Sequence, residues 1–119
     1  MAANPIGSTP ELLISTEKKT DETIVRASGR ITSATSDLLQ RTIRGLIPGT
    51  KRIVLDLAEV NYIDSSGLGA LVSVYLTASR AQCVLELANP KPRIRDLFEL
   101  SRLQSVFENR GGYRGLTPD

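Results

Sequence analysis

The sequence predicts a single α/β domain: an antiparallel amino-terminal hairpin followed by a parallel βαβαβ unit, giving a mixed sheet of four to five strands with three to four helices. Three observations carry this prediction. Apolar runs with little alternation, typified by Ile53, Val54, Leu55 and Leu57, are the pattern of strands buried on both faces of a parallel sheet. Apolar residues at helical spacing separate those runs, so strands and helices alternate from residue 51 onward, which implies right-handed crossovers. Length and composition agree, since 119 residues, 40% hydrophobic and 24% charged, suffice for one modest core.

Residues 1–10, with two prolines, one glycine and no charged side chain, read as a flexible lead-in to a domain over residues 11–108. Leu12 to Thr16 and Thr23 to Ser28 are short strand-like runs separated by the polar patch Glu17 to Glu22, which makes a hairpin the simplest pairing. Gly29 ends the second strand. Thr32 or Ser33 caps the next helix, whose Leu38, Leu39, Ile43, Leu46 and Ile47 form an apolar stripe that stops at Pro48-Gly49. A strand from Arg52 to Leu57 follows, then a second helix with Leu68, Leu71, Val72, Tyr75 and Leu76 on one face. Gln82 to Ala88 is a further strand. Asn89-Pro90 supplies a cap and first-turn proline for a third helix bearing Ile94, Leu97 and Phe98. Val106-Phe107 adds a short last strand. Gly111, Gly112 and Gly115 make residues 109–119 a flexible tail, with Tyr113 and Leu116 too isolated for a core element.

Composition excludes several classes of function. Histidine is absent, which removes the usual general base, the commonest zinc ligand and any Ser-His pair. No glycine loop with a lysine cradles phosphate, so the chain is expected to be no enzyme and to hold no metal or cofactor. Cys83 stands alone in an apolar run and reads as a buried strand residue. Fifteen basic against 13 acidic residues announce no nucleic-acid footprint; Arg110 and Arg114 read as exposed tail charges, and Lys91, Arg93 and Arg95 as a solvated face. Apolar runs fall short of the ~20 residues of a membrane span, and Met1 to Pro10 does not resemble a signal peptide, so a cytoplasmic protein is expected.

The candidate site is Ile63-Asp64-Ser65-Ser66-Gly67-Leu68-Gly69, which sets two hydroxyls beside a carboxylate where a strand turns into a helix. Asp64 or Ser65 would be the N-cap, and the glycines let another backbone come close. Helix capping alone accounts for the pattern, but a hydroxyl in that first turn also stands at the carboxyl-end rim, where open α/β sheets bind partners. A phosphate there would add about −1.5 to −2 charges next to Asp64, tolerated by the helix amino terminus and hostile to a docked surface.

The run Arg52 to Leu57, Val60, and Ile63-Asp64-Ser65-Ser66-Gly67-Leu68-Gly69-Ala70-Leu71 resembles the signature of STAS domains, specifically bacterial anti-sigma factor antagonists. Gly29, Asn89-Pro90, Ile94, Leu97, Leu100 and Val106-Phe107 extend the resemblance over roughly residues 11–108. It implies a STAS-like fold and a binding module that captures an anti-sigma factor with serine kinase activity and so frees a sigma factor. It implies phosphorylation at Ser65, with Ser66 the secondary acceptor, and removal of the phosphate by a PP2C-type phosphatase. Thr32, Asp64, Ser65, Ser66, Gly67 and Leu68 would form the partner surface, with no direct contact to nucleic acid and no membrane insertion. One departure stands out. The family commonly has Gly-Glu-Leu-Asp or a close variant after the second strand, and this chain has Gly29-Arg30-Ile31-Thr32. Arg30 reads as a solvated surface charge; the alternative is that it favours a more acidic partner. Two other functions remain open: a constitutive STAS scaffold or regulatory subunit of a stress-signalling or lipid-transport complex, and a small nucleotide- or phosphoester-processing enzyme.

Overall fold

The structure, a computed structural model, describes residues 4–8, 11–103 and 113–114. Its sheet runs in chain order: β1 (Asn4–Ser8), β2 (Leu12–Lys18), β3 (Glu22–Ile31), β4 (Arg52–Ile63), β5 (Val84–Ala88) and β6 (Tyr113–Arg114). Helix α1 (Ser36–Leu46) joins β3 to β4, α2 (Ser65–Arg80) joins β4 to β5, and α3 (Pro92–Leu100) follows β5. β1–β2 and β2–β3 pair antiparallel, and the three remaining pairs are parallel. The expected α/β class and mixed sheet therefore hold, with a hairpin feeding a parallel βαβαβ unit.

The sheet is wider than expected because a short strand lies at each edge. Residues 4–8, expected in a lead-in, pair with β2 with an irregular register between Pro5 and Gly7. Proline and glycine argue against a central strand, but an edge strand tolerates both because one side of its backbone needs no partner. Tyr113 and Arg114, expected in the tail, pair with Leu87 and Ala88. The strand expected at Val106-Phe107 lies outside the described residues.

Gly29 does not end its strand; β3 continues to Ile31. At φ 123° the glycine bends the strand without stopping it, and the β3–β4 register slips on either side, between Arg26 and Ser28 and between Gly29 and Arg30. β4 is likewise longer than expected, and only its first five residues pair with β5. Its carboxyl half projects beyond β5 beside β3, which carries Ile31 and Ile63 to the same rim.

One cluster holds the domain together. Ile53, Leu55 and Leu57 of β4 pack with Leu39 and Ile43 of α1, Leu71, Val74 and Tyr75 of α2, and Ile94 and Phe98 of α3. Helix α2 faces inward differently from the expected stripe. Leu71 and Tyr75 are buried, but the rest of its buried face is Gly67, Ala70, Val74 and Ala78, while Leu76 is exposed. Small side chains let the helix sit close, so the inner face is marked by size more than by hydrophobicity. α3 begins two residues later than expected, with Lys91 as N-cap and Pro92 as the first-turn proline; Asn89 takes a left-handed conformation in the preceding loop. Cys83 is buried just ahead of β5, where burial pushes its thiol pKa up.

Candidate functional site

The site is built where β3 and β4 end side by side. Ile31 and Ile63 are register partners, and the Ile31 carbonyl accepts the Asp64 N–H at 3.2 Å as the chain leaves β4. Asp64 keeps an extended backbone, φ −101° and ψ −174°, and its Oδ1 accepts the Gly67 N–H at 2.9 Å. That geometry makes Asp64 the N-cap and settles the alternative between Asp64 and Ser65. Ser65 and Ser66 become the first two helical residues. Both are exposed, and neither hydroxyl makes a hydrogen bond among the described residues. Because the carboxylate has taken the capping role, the serine oxygens are left to solvent.

Gly67 is buried, and its lack of a side chain is a condition of the turn. A Cβ there would stand 2.2 Å from the Ile31 carbonyl oxygen and 2.8 Å from Ile63 Cγ2. Gly69, two residues on, faces open space. Leu68 is half-buried against the core. The residues expected to touch a partner thus divide: Asp64, Ser65, Ser66 and part of Leu68 are presented, whereas Gly67 shapes the turn from inside.

Thr32 also falls on the inner side. It is 8% exposed, and its hydroxyl accepts the Ala34 N–H at 3.2 Å. The expected cap at Thr32 or Ser33 is corrected as well, because α1 starts at Ser36 with Thr35 in the N-cap position. Thr35 is a residue of the site that the expected cap did not include. Its buried hydroxyl accepts the Thr32 N–H and donates to the Arg30 carbonyl, both at 2.9 Å, tying the end of β3 to the start of α1. The Thr-x-x-Thr spacing of Thr32 and Thr35 was the available signal, as hydroxyl residues offer such local bonds before helices.

Arg30 is not simply solvated. Its guanidinium lies 4.7 Å from the ring centroid of Tyr62, its register partner on β4, and both side chains are exposed. Tyr62 had no part in the expected site; only strand register reveals the pair. A large cleft lies elsewhere, at the amino-end rim among Lys19, Asp21, Thr50, Lys51 and Gln82, opposite the end that carries Ser65. Among the described residues no group of three or more His, Cys, Asp or Glu side chains gathers as a metal site, and no helix is long and apolar enough to cross a membrane.

The cap has a measurable consequence. Asp64→Ala is expected to lower unfolding free energy by about 1 kcal/mol, and Asp64→Asn to recover most of it, because the amide oxygen still accepts the Gly67 N–H. Urea denaturation of the three proteins checks this.

A scan against family models matches the STAS domain over residues 14–113. BtrV of Bordetella bronchiseptica is 34% identical over 80 residues, which span 66% of this chain and 69% of that protein. The anti-sigma-B factor antagonist of Listeria monocytogenes is 31% identical over 94 residues, spanning 77% of this chain and 82% of the relative. Among solved structures, the anti-sigma factor antagonist SpoIIAA in its unphosphorylated form superposes with a TM-score of 0.69 at 20% identity, covering 87% of this chain and 88% of that one. SpoIIAA in its phosphorylated form gives 0.66 at 20% identity, covering 87% and 91%. The two solved structures share the fold, and the model match over residues 14–113 establishes that this chain belongs to the STAS domain family.

Proposed function

We propose that this chain is an anti-sigma factor antagonist whose carboxyl-rim surface captures an anti-sigma factor with serine kinase activity and so frees a sigma factor. Phosphorylation of Ser65 ends the capture, with Ser66 the secondary acceptor, and a PP2C-type phosphatase restores it. The chain acts in the cytoplasm as the kinase's substrate and binding partner, and is itself no enzyme. The observation that carries this reading is the uncommitted, exposed Ser65 hydroxyl in the first turn of α2 beside the Asp64 carboxylate. The Listeria relative is named for antagonism of an anti-sigma factor, and SpoIIAA is known in both phosphorylated and unphosphorylated forms, which supports a switch of this kind.

The physics gives the switch its direction. Within the domain, a phosphate on Ser65 would meet the free N–H groups and positive dipole end of α2, so the fold tolerates it. A docked surface would instead have to desolvate a near-dianion next to Asp64. A coupling of about 3 kcal/mol changes affinity more than a hundredfold at 1.4 kcal/mol per factor of ten.

Calorimetric titration with the anti-sigma factor that co-purifies with the untagged chain tests this. Ser65→Asp is expected to lose binding more than about a hundredfold and Ser65→Ala to stay within a few fold of the parent. Equal binding by both variants would overturn the switch. Co-purification with transporter subunits, without phosphate on any serine by intact mass, would instead identify a constitutive scaffold.

A further inference from the structure

We infer that the rim beside Ser65 receives an acidic segment of the partner, selected by Arg30 held on the face of Tyr62. The inference rests on the capture reading above and adds the chemistry of the surface captured. Arg30 and Tyr62 are register partners near the carboxyl ends of β3 and β4, one position before the Ile31–Ile63 pair that leads into Asp64 and Ser65. Tyr62 is a large side chain left 44% exposed, with the Arg30 guanidinium 4.7 Å from its ring centre. Next to Tyr62 in the chain, Asn61 lines a shallow cleft with Lys91, Pro92 and Arg93 at the start of α3. Lys91 and Arg93 add positive charge at that cleft, and among the described residues none of Arg30, Lys91 and Arg93 is in an ion pair.

Two carboxylates toward the same end of the sheet accept hydrogen bonds from the domain itself. Asp64 Oδ1 holds the Gly67 N–H, and Asp56 Oδ1 holds the Ala58 N–H and the Asn89 amide. Stacking on the ring restricts the arginine before a partner arrives, which lowers the ordering cost of binding, and leaves the edge of the guanidinium free to grip a carboxylate with two hydrogen bonds. A partner surface bearing aspartate or glutamate fits this arrangement. A nucleic-acid backbone fits it poorly, because such a track needs a longer row of cations than this nearly neutral chain supplies.

The same charge explains how one rim can serve two states. An acidic partner segment is drawn to Arg30 while Ser65 is neutral, and is repelled when a phosphate appears a few residues away. Selectivity and release then use the same charge on the partner.

The test titrates the full chain and its variants with the co-purifying anti-sigma factor at two salt concentrations. Arg30→Ala is expected to weaken binding about tenfold and Arg30→Glu about a hundredfold, with a shallower salt dependence in both. Tyr62→Phe keeps the ring and should bind like the parent, whereas Tyr62→Ala should weaken binding several fold. Both positions are exposed, and melting curves confirm that the variants fold. Binding by Arg30→Glu within twofold of the parent overturns the inference, and so does an unchanged salt dependence. Ser65→Asp, measured alongside, separates the two ideas. Loss at Ser65→Asp with Arg30→Glu unaffected removes only the acidic docking, and the converse pattern removes only the phosphorylation switch.

Discussion

Gly67→Ala is expected to cost the domain about 3 kcal/mol of unfolding free energy and to displace the first turn of α2. The added Cβ would lie 2.2 Å from the oxygen and 2.9 Å from the carbon of the Ile31 carbonyl group. That carbonyl is backbone at the end of β3 and already accepts the Asp64 N–H, so it has no rotamer to move to. The helix must retreat instead, which stretches the Asp64 cap and moves Ser65. Gly69→Ala is the control. It sits in the same helix with nothing within 4 Å of the new Cβ, and alanine there should stabilise by about 1 kcal/mol through helix propensity alone. Urea unfolding of both variants separates the readings: opposite signs are expected, and two small stabilisations would show that the turn has slack.

Gly29→Ala should be at least as damaging, at about 4 kcal/mol, from two sources that act together. The residue holds φ at 123°, where a side chain is strained, and its Cβ would come within 2.1 Å of the Glu11 carbonyl oxygen. That oxygen accepts the Arg30 N–H at 2.9 Å, so relief of the clash breaks the β2–β3 ladder at the point where it enters the site. For a domain with about 5–15 kcal/mol of total stability, the loss should appear as a melting transition lowered by well over ten degrees. A melting temperature near that of the parent would show that the strand can rearrange around the new methyl group.

Much of this was legible beforehand. Buried strands announce themselves through continuous apolar runs, as Ile53 to Leu57 did, because both faces of a central parallel strand are covered. Asp64-Ser65-Ser66-Gly67 read correctly as a helix start because capping is local chemistry within four residues. The misplaced details share a different cause. Large apolar side chains predict one stripe on α2, but close packing selected Gly67, Ala70 and Ala78 for the inner face, and smallness has no hydrophobic signature. The edge strands β1 and β6 are two to five residues long and are stabilised by the sheet they join, so their own composition looks like tail.

The amino-acid order alone determined the α/β class, the alternation of strands and helices, the carboxylate-hydroxyl pair at the start of α2 and the absence of histidine chemistry, because each depends on neighbours within a few positions. Tertiary structure alone decided which groups meet across the sheet: Arg30 laid on Tyr62, and Gly67 pressed against Ile31. Those outcomes depend on strand register and on contact between groups some thirty residues apart, and no local pattern in the chain encodes either.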